Sequence, residues 1–158
     1  MAIVNIRDTG RNSAKTTDVR ELAEKVQKPS DTEAITAANT ITAAESGTRY
    51  VLNVAAAKIQ TLPAPAAGLE YWFYVGATEP TGTHTVVTAS SANIIVGNIS
   101  SPEDAAGSVA TVTDADTISF VANKAVHGDF VHVWSDGTNW YLNGMCKVQD
   151  GITTTQAG

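Results

Sequence analysis

His127, Asp129, His132 and Asp136 form the densest set of metal-capable side chains in the sequence. A Zn²⁺ or non-haem iron centre needs ligands that converge on one point. In an extended strand Phe130 and His132 point one way, while Asp129, Val131 and Val133 point the other. Asp129 and His132 therefore project to opposite faces. The run reads as a Gly-Asp turn that opens a strand, with His132 on a half-exposed face and no metal bound. Sugar hydrolysis would need two carboxylates set across a cleft. Asp114 and Asp116 instead flank a short turn, where Asp serves the backbone.

Cys146 is the only cysteine, without a CxxC partner, so it reads as a packed thiol. A chain with no possible internal disulfide suits assembly in a reducing cytoplasm. Gly76, Gly82, Gly97, Gly107, Gly128, Gly137 and Gly144 are spread singly, one per turn or bulge, and do not build a phosphate cradle. Trp72, Trp134 and Trp140 could stack on sugars. Core or subunit-interface packing is the preferred reading, with Trp134 and Trp140 close together across a hairpin at residues 136–139. No constellation amounts to a catalytic site, so the chain is not expected to be an enzyme, and no cofactor is called for.

The elements that carry these residues change character near Pro29. Asp18 and Glu21 have capping-box spacing, and Val19, Leu22, Ala23 and Val26 follow as one apolar stripe. The spacing predicts a helix of about three turns, which is marginal alone in water and must dock to form. Before it, residues 1–17 read as an extended arm. After Pro29 the period becomes two. Strands are expected from Ile35 through Thr42, at Thr48–Val54, Lys58–Leu62, Glu70–Val75, Thr83–Ala89 and Asn93–Ile99. Others are expected at Val109–Thr113, Thr117–Val121, Phe130–Trp134 and Trp140–Leu142, with an edge strand at Gly151–Thr154. Gly97 is expected at a bulge or a close backbone approach. A single helical turn is expected at Ser101–Asp104. Turn signals at intervals of about 8 to 12 residues predict an all-β, jelly-roll-like β-sandwich at residues 34–158, behind an arm with one short helix at residues 1–33.

Charge divides at the same place. Residues 1–28 hold six Lys and Arg against four carboxylates, and residues 29–158 hold four against twelve. An acidic body without a basic stripe excludes nucleic acid as an expected partner. No run approaches the roughly 18 apolar residues of a membrane span, and no targeting signal is visible. Arg7, Arg11, Lys15 and Arg20 have the spread of an extended contact strip. With Val19, Leu22 and Val26 they are the candidate partner-binding residues.

Four local patterns carry a resemblance. They are Asn39 to Gly47 followed by Tyr50-Val51-Leu52-Asn53, then Ile59 to Phe73, then Ala92 to Ile99, then Gly128 to Tyr141 with its hairpin Ser135-Asp136-Gly137-Thr138-Asn139-Trp140-Tyr141. Together they resemble small β-rich virion proteins of tailed bacteriophages, capsid decoration proteins above all and tail-appendage modules less closely. The resemblance implies a non-enzymatic structural protein, a homotrimer whose partner is the major capsid protein, sited on the outer capsid surface of the virion after assembly in the host cytoplasm. A tail-fibre or adhesion module that binds a host surface glycan is the alternative. No residue-level binding motif carries over.

Overall fold

The computed structural model describes residues 31–101 and 109–158. The expected contact residues Arg7, Arg11, Lys15, Val19, Arg20, Leu22 and Val26 lie outside them, as do the capping box at Asp18 and the helical turn from Pro102.

Among the described residues there are twelve strands: β1 (Thr32–Ile35), β2 (Asn39–Thr40), β3 (Arg49–Leu52), β4 (Ile59–Thr61), β5 (Glu70–Val75), β6 (His84–Val87), β7 (Ile95–Ser100), β8 (Val109–Ala115), β9 (Thr117–Phe120), β10 (Phe130–Ser135), β11 (Trp140–Met145) and β12 (Ile152–Thr155). They form a seven-stranded sheet, in the order β1-β3-β5-β10-β11-β7-β8, packed on a five-stranded sheet, in the order β12-β9-β6-β4-β2. The all-β sandwich expected from the period-two pattern is what forms. β12 is an edge strand, as the C-terminal segment predicts.

Its pairings are mixed, five of ten being parallel. The cause is a winding path. From Thr32 to Val87 the chain alternates between sheets, laying β1, β3 and β5 side by side in one and β2, β4 and β6 side by side in the other. Each neighbour in this coil is parallel. Antiparallel β10 and β9 then close on β5 and β6. The single first strand expected across Ile35 and Thr40-Ile41-Thr42 is thus two strands in different sheets, because the coil must cross the sandwich between them.

Two other boundaries differ from expectation. β8 does not stop before Asp114. It carries one extra residue opposite the Ile95–Gly97 step of β7, and Asp114 takes φ +54° to absorb it. Asp114 is therefore a bulge residue, while buried Asp116 makes the crossing to the second sheet. β11 runs through Gly144 to Met145. Gly144 faces the core, where even a methyl group would come 3.0 Å from Val131 Cγ1, so glycine sustains the strand here by leaving room.

The core is the alternate residues of both sheets. Tyr50, Tyr71, Phe73, Val131, Val133, Trp140 and Ile95 from the larger sheet meet Val86, Ile118, Phe120 and Ile152 from the smaller. Among the described residues Gln60 Oε1, Ser101 Oγ and Trp140 Nε1 are buried without a hydrogen-bond partner, whereas other polar groups taken inside are bonded. Fully buried His84 accepts from Lys58 N–H at Nδ1 (3.1 Å) and donates to Val54 C=O from Nε2 (2.8 Å), which ties β6 to the 53–58 loop. Tyr50 and Tyr71 send their hydroxyls out to the 3-10 turn at Ala43–Glu45, donating to Glu45 Oε1 (3.1 Å) and Thr42 C=O (2.9 Å).

Candidate functional site

The chemistry-capable residues singled out in the sequence do not converge. Asp129 is buried and its carboxylate accepts from Val126 N–H (2.9 Å) and Lys147 N–H (3.0 Å), which fixes the turn before β10 against the end of β11. His127 is exposed beside that turn, and Lys147 Nζ donates to its carbonyl. Asp136 serves its own hairpin. One oxygen accepts from Thr138 and Asn139 N–H at 2.8 and 2.9 Å, and the other accepts from Tyr141 OH at 3.0 Å. These bonds hold its carboxyl below the usual range and raise the Tyr141 hydroxyl. Cys146 is buried and free. Among the described residues, no group of three or more His, Cys, Asp or Glu is placed to hold a metal ion.

The tryptophans divide in a way the sequence reading did not foresee. The 136–139 loop pairs Ser135 with Trp140 and Trp134 with Tyr141. Opposed residues share a face and adjacent ones do not. Trp134 and Trp140 therefore point away from each other, and the expected aromatic pair across the hairpin does not exist. Trp140 is fully buried in the core, 5.9 Å from the ring of Tyr71. Trp134 is 43% exposed on the outer face and stacks instead on Tyr141, with centroids 4.3 Å apart and planes at 16°.

That outer face is the unusual feature of the molecule. Strand registers place three rows of side chains across it. Glu70, Trp134, Tyr141 and Val96 form the first row. Arg49, Trp72, His132, Asn143 and Asn98 form the second, and Val51, Tyr74, Phe130, Met145, Ser100 and Val109 form the third. The rings are in mutual contact. Trp72 lies flat against His132 (3.9 Å, 9°), parallel to Tyr74 (6.1 Å) and tilted to Phe130 (6.2 Å), and Tyr74 meets Phe130 at 5.6 Å. His132 Nε2 and Glu70 Oε2 are 3.2 Å apart at the edge of the stack. Four large apolar side chains are exposed among the described residues: Ile59, Val109, Trp134 and Met145. The last three are on this face.

A sheet with one face in water alternates apolar with polar residues. Here Tyr71-Trp72-Phe73-Tyr74 makes both faces of β5 aromatic, and β10 does the same with Phe130, His132 and Trp134 facing outward. Such strands belong to sheets covered on both sides. Trp72, Trp134 and His132 were visible in the sequence. Tyr74, Phe130, Tyr141 and Met145 were not singled out, although the unbroken aromatic run at 71–74 signals a strand buried on both faces. The chemistry this face offers is apolar contact edged by Arg49, Glu70 and the Asn98–Asn143 pair.

The sequence matches no protein-family model, no curated protein and no solved structure.

Proposed function

We propose that this chain is a structural virion protein of a tailed bacteriophage, a capsid decoration protein that sits on the outer surface of the head as a homotrimer and stabilises the shell. One observation carries the reading. The larger sheet of the body carries aromatic side chains on its outer face as well as in the core, and three of the four large apolar side chains exposed among the described residues lie on that outer face. A contiguous apolar face of this kind marks an association surface. An aromatic sheet face spread over several strands suits broad contact with protein. The resemblance of residues 39–53, 59–73, 92–99 and 128–141 to phage virion proteins supplies the setting. The strip Arg7, Arg11, Lys15 and Arg20 supplies the contact with the major capsid protein. Three such arms on one trimer would multiply effective concentration at the lattice.

A tail-appendage module that binds a host glycan is the second reading. It is favoured by the exposed indole of Trp134, beside Glu70 and Tyr141. Against it, the rings of this face stack on one another. Trp72 and Trp134 each present one flat side to a neighbour and not to a sugar.

Sedimentation with undecorated capsids and with host cells separates the two. Co-sedimentation with capsids, abolished by charge reversal of Arg7, Arg11, Lys15 and Arg20, is the expected result. Binding to cells that free sugar competes away would establish the adhesion reading instead. A monomeric solution mass at micromolar concentration would rule out the trimer.

A further inference from the structure

We infer that the outer face of the larger sheet is where copies of this chain meet, so that its ring cluster is covered by the same surface of neighbouring copies. This deepens the reading above and rests on it for the number of copies. The aromatic face joins the subunits, and the capsid is held through other surfaces.

Charge favours a second copy as the occupant. Residues 29–158 carry four Lys and Arg against twelve carboxylates. Two such bodies repel each other, so they approach most easily where their own charge cancels. The outer face is such a place. Besides the imidazole of His132, its three rows hold only Arg49 and Glu70 as ionic groups, one of each sign on adjacent strands. Lys58, Lys124 and Lys147 stand outside the strands altogether. A copy meeting this face therefore brings no net charge into the contact.

Composition and size agree. Contacts between protein subunits are rich in aromatic residues, Met and Arg, and poor in Lys, Asp and Glu. The ring cluster with Trp134 and Met145 beside it, one Arg and one Glu, has that make-up. From β3 to β8 the rows cross six strands, or ~24 Å at ~4.8 Å per step, and they run ~14 Å along the strand from Glu70 to Tyr74. With the width of the outermost side chains, the face covers on the order of 600 Å² in plane. That is the scale of the ~800 Å² of accessible surface that one partner buries in a stable complex.

Sedimentation velocity on the full chain, without capsids, tests this. The parent is expected to be a trimer at micromolar concentration. Trp134→Glu with Met145→Glu is expected to weaken association about a hundredfold, because like charges are then forced together. Both positions are more than two fifths exposed, so the sheet circular dichroism should not change. Ile59→Glu, equally exposed but on the five-stranded sheet, should leave the mass unaltered. Should the double variant misfold, dilution of the parent decides. Emission from Trp72 and Trp134 should then shift to the red as the mass falls, while buried Trp140 stays silent. A falling mass with unshifted emission, or a double variant that associates as tightly as the parent, overturns the inference and leaves the trimer standing. A monomeric parent removes the trimer and the inference together. A parent dimer that the double variant dissolves keeps this face as the contact between copies and removes only the number three.

Discussion

Trp72 and His132 oppose each other on β5 and β10 with their rings face to face, 3.9 Å apart and within 9° of parallel. They are the centre of one ring cluster, since Trp72 also packs by Tyr74 and Phe130 while His132 reaches Glu70. His132→Ala uncovers one face of the indole and leaves Glu70 without its neighbour. A stacked pair of this kind is worth about 0.5–1.5 kcal/mol beyond its buried area. The variant should lose about 1 kcal/mol in a denaturant melt and shift tryptophan emission to the red. A variant as stable as the parent, with unshifted emission, would mean that the stack does not persist in solution.

Gly97 admits no side chain. Its φ is +150°, and a Cβ would lie 1.9 Å from the carbonyl oxygen of Leu142 on the neighbouring strand. Gly97→Ala must therefore part β7 from β11 opposite the bulge at Asp114. We expect a loss of about 3 kcal/mol or more, seen as a large fall in the thermal midpoint. Gly47→Ala, strained in φ but with nothing within 4 Å of its Cβ, should cost less.

The buried His84 ring makes two hydrogen bonds, accepting at Nδ1 and donating from Nε2. Replacing His84 with Ala removes the partner of the Lys58 N–H and of the Val54 carbonyl, both half-buried against β6. Each orphaned group costs about 1–3 kcal/mol, so His84→Ala should destabilise by roughly 2–4 kcal/mol. Amide exchange should rise first in the 53–58 loop and β6. Protection lost evenly across both sheets would contradict the local role.

The tyrosines under the 43–45 turn predict an alkaline limit. Burial, then the charge of Glu45, pushes the Tyr71 hydroxyl up to about 12 from 10.0, and Tyr50 goes further for the same reasons. For an acid whose folded pKa is raised, the stabilisation is complete below the unfolded value. It declines as pH rises above about 10, because the unfolded chain ionises first. Stability should hold to about pH 10 and then fall. Tyrosinate absorbance should show Tyr50 and Tyr71 titrating late and with unfolding. A smooth titration of every tyrosine near pH 10 in the folded state would refute this.

Glu45 sets a smaller effect at the acid end. Bonds from Thr42 Oγ1 (2.6 Å), Thr42 N–H (2.7 Å) and Tyr50 OH hold its carboxyl below 4.5, against a partial loss of hydration. A depressed carboxyl stabilises above its unfolded pKa, and the benefit is lost as pH falls below about 4.5. Glu45→Gln should cost about 0.5 kcal/mol at neutral pH, since the group is largely solvated and screened. It should cost nothing near pH 3.

How much of this was legible in the chain depends on whether local pattern or distant pairing decided it. The aromatic-rich run from Glu70 to Val75 is a local strand signal that depends only on neighbours along the chain, so β5 was readable to the residue. So was the need for glycine at position 97, which the sequence marks as a lone Gly within a strand. The hairpin at Asp136 was readable too, because its turn bonds are made within three residues. The sequence by itself therefore determined an all-β body, and it set the excess of basic residues before Pro29. Which sheet each strand joins depends on partners 15 or more positions away, as with Thr32 beside Arg49 or His84 beside Phe120. No local preference encodes such pairings, so the parallel coil of β1 to β6 emerged only in three dimensions. The same holds for the tryptophans. One register, Ser135 against Trp140, sends Trp140 into the core and Trp134 to the surface. Only the tertiary pairing of β5, β10 and β11 gathers Trp72, Tyr74, Phe130, His132, Trp134 and Tyr141 on one face, because an outward position becomes part of a surface only when its neighbours across the strands are chosen.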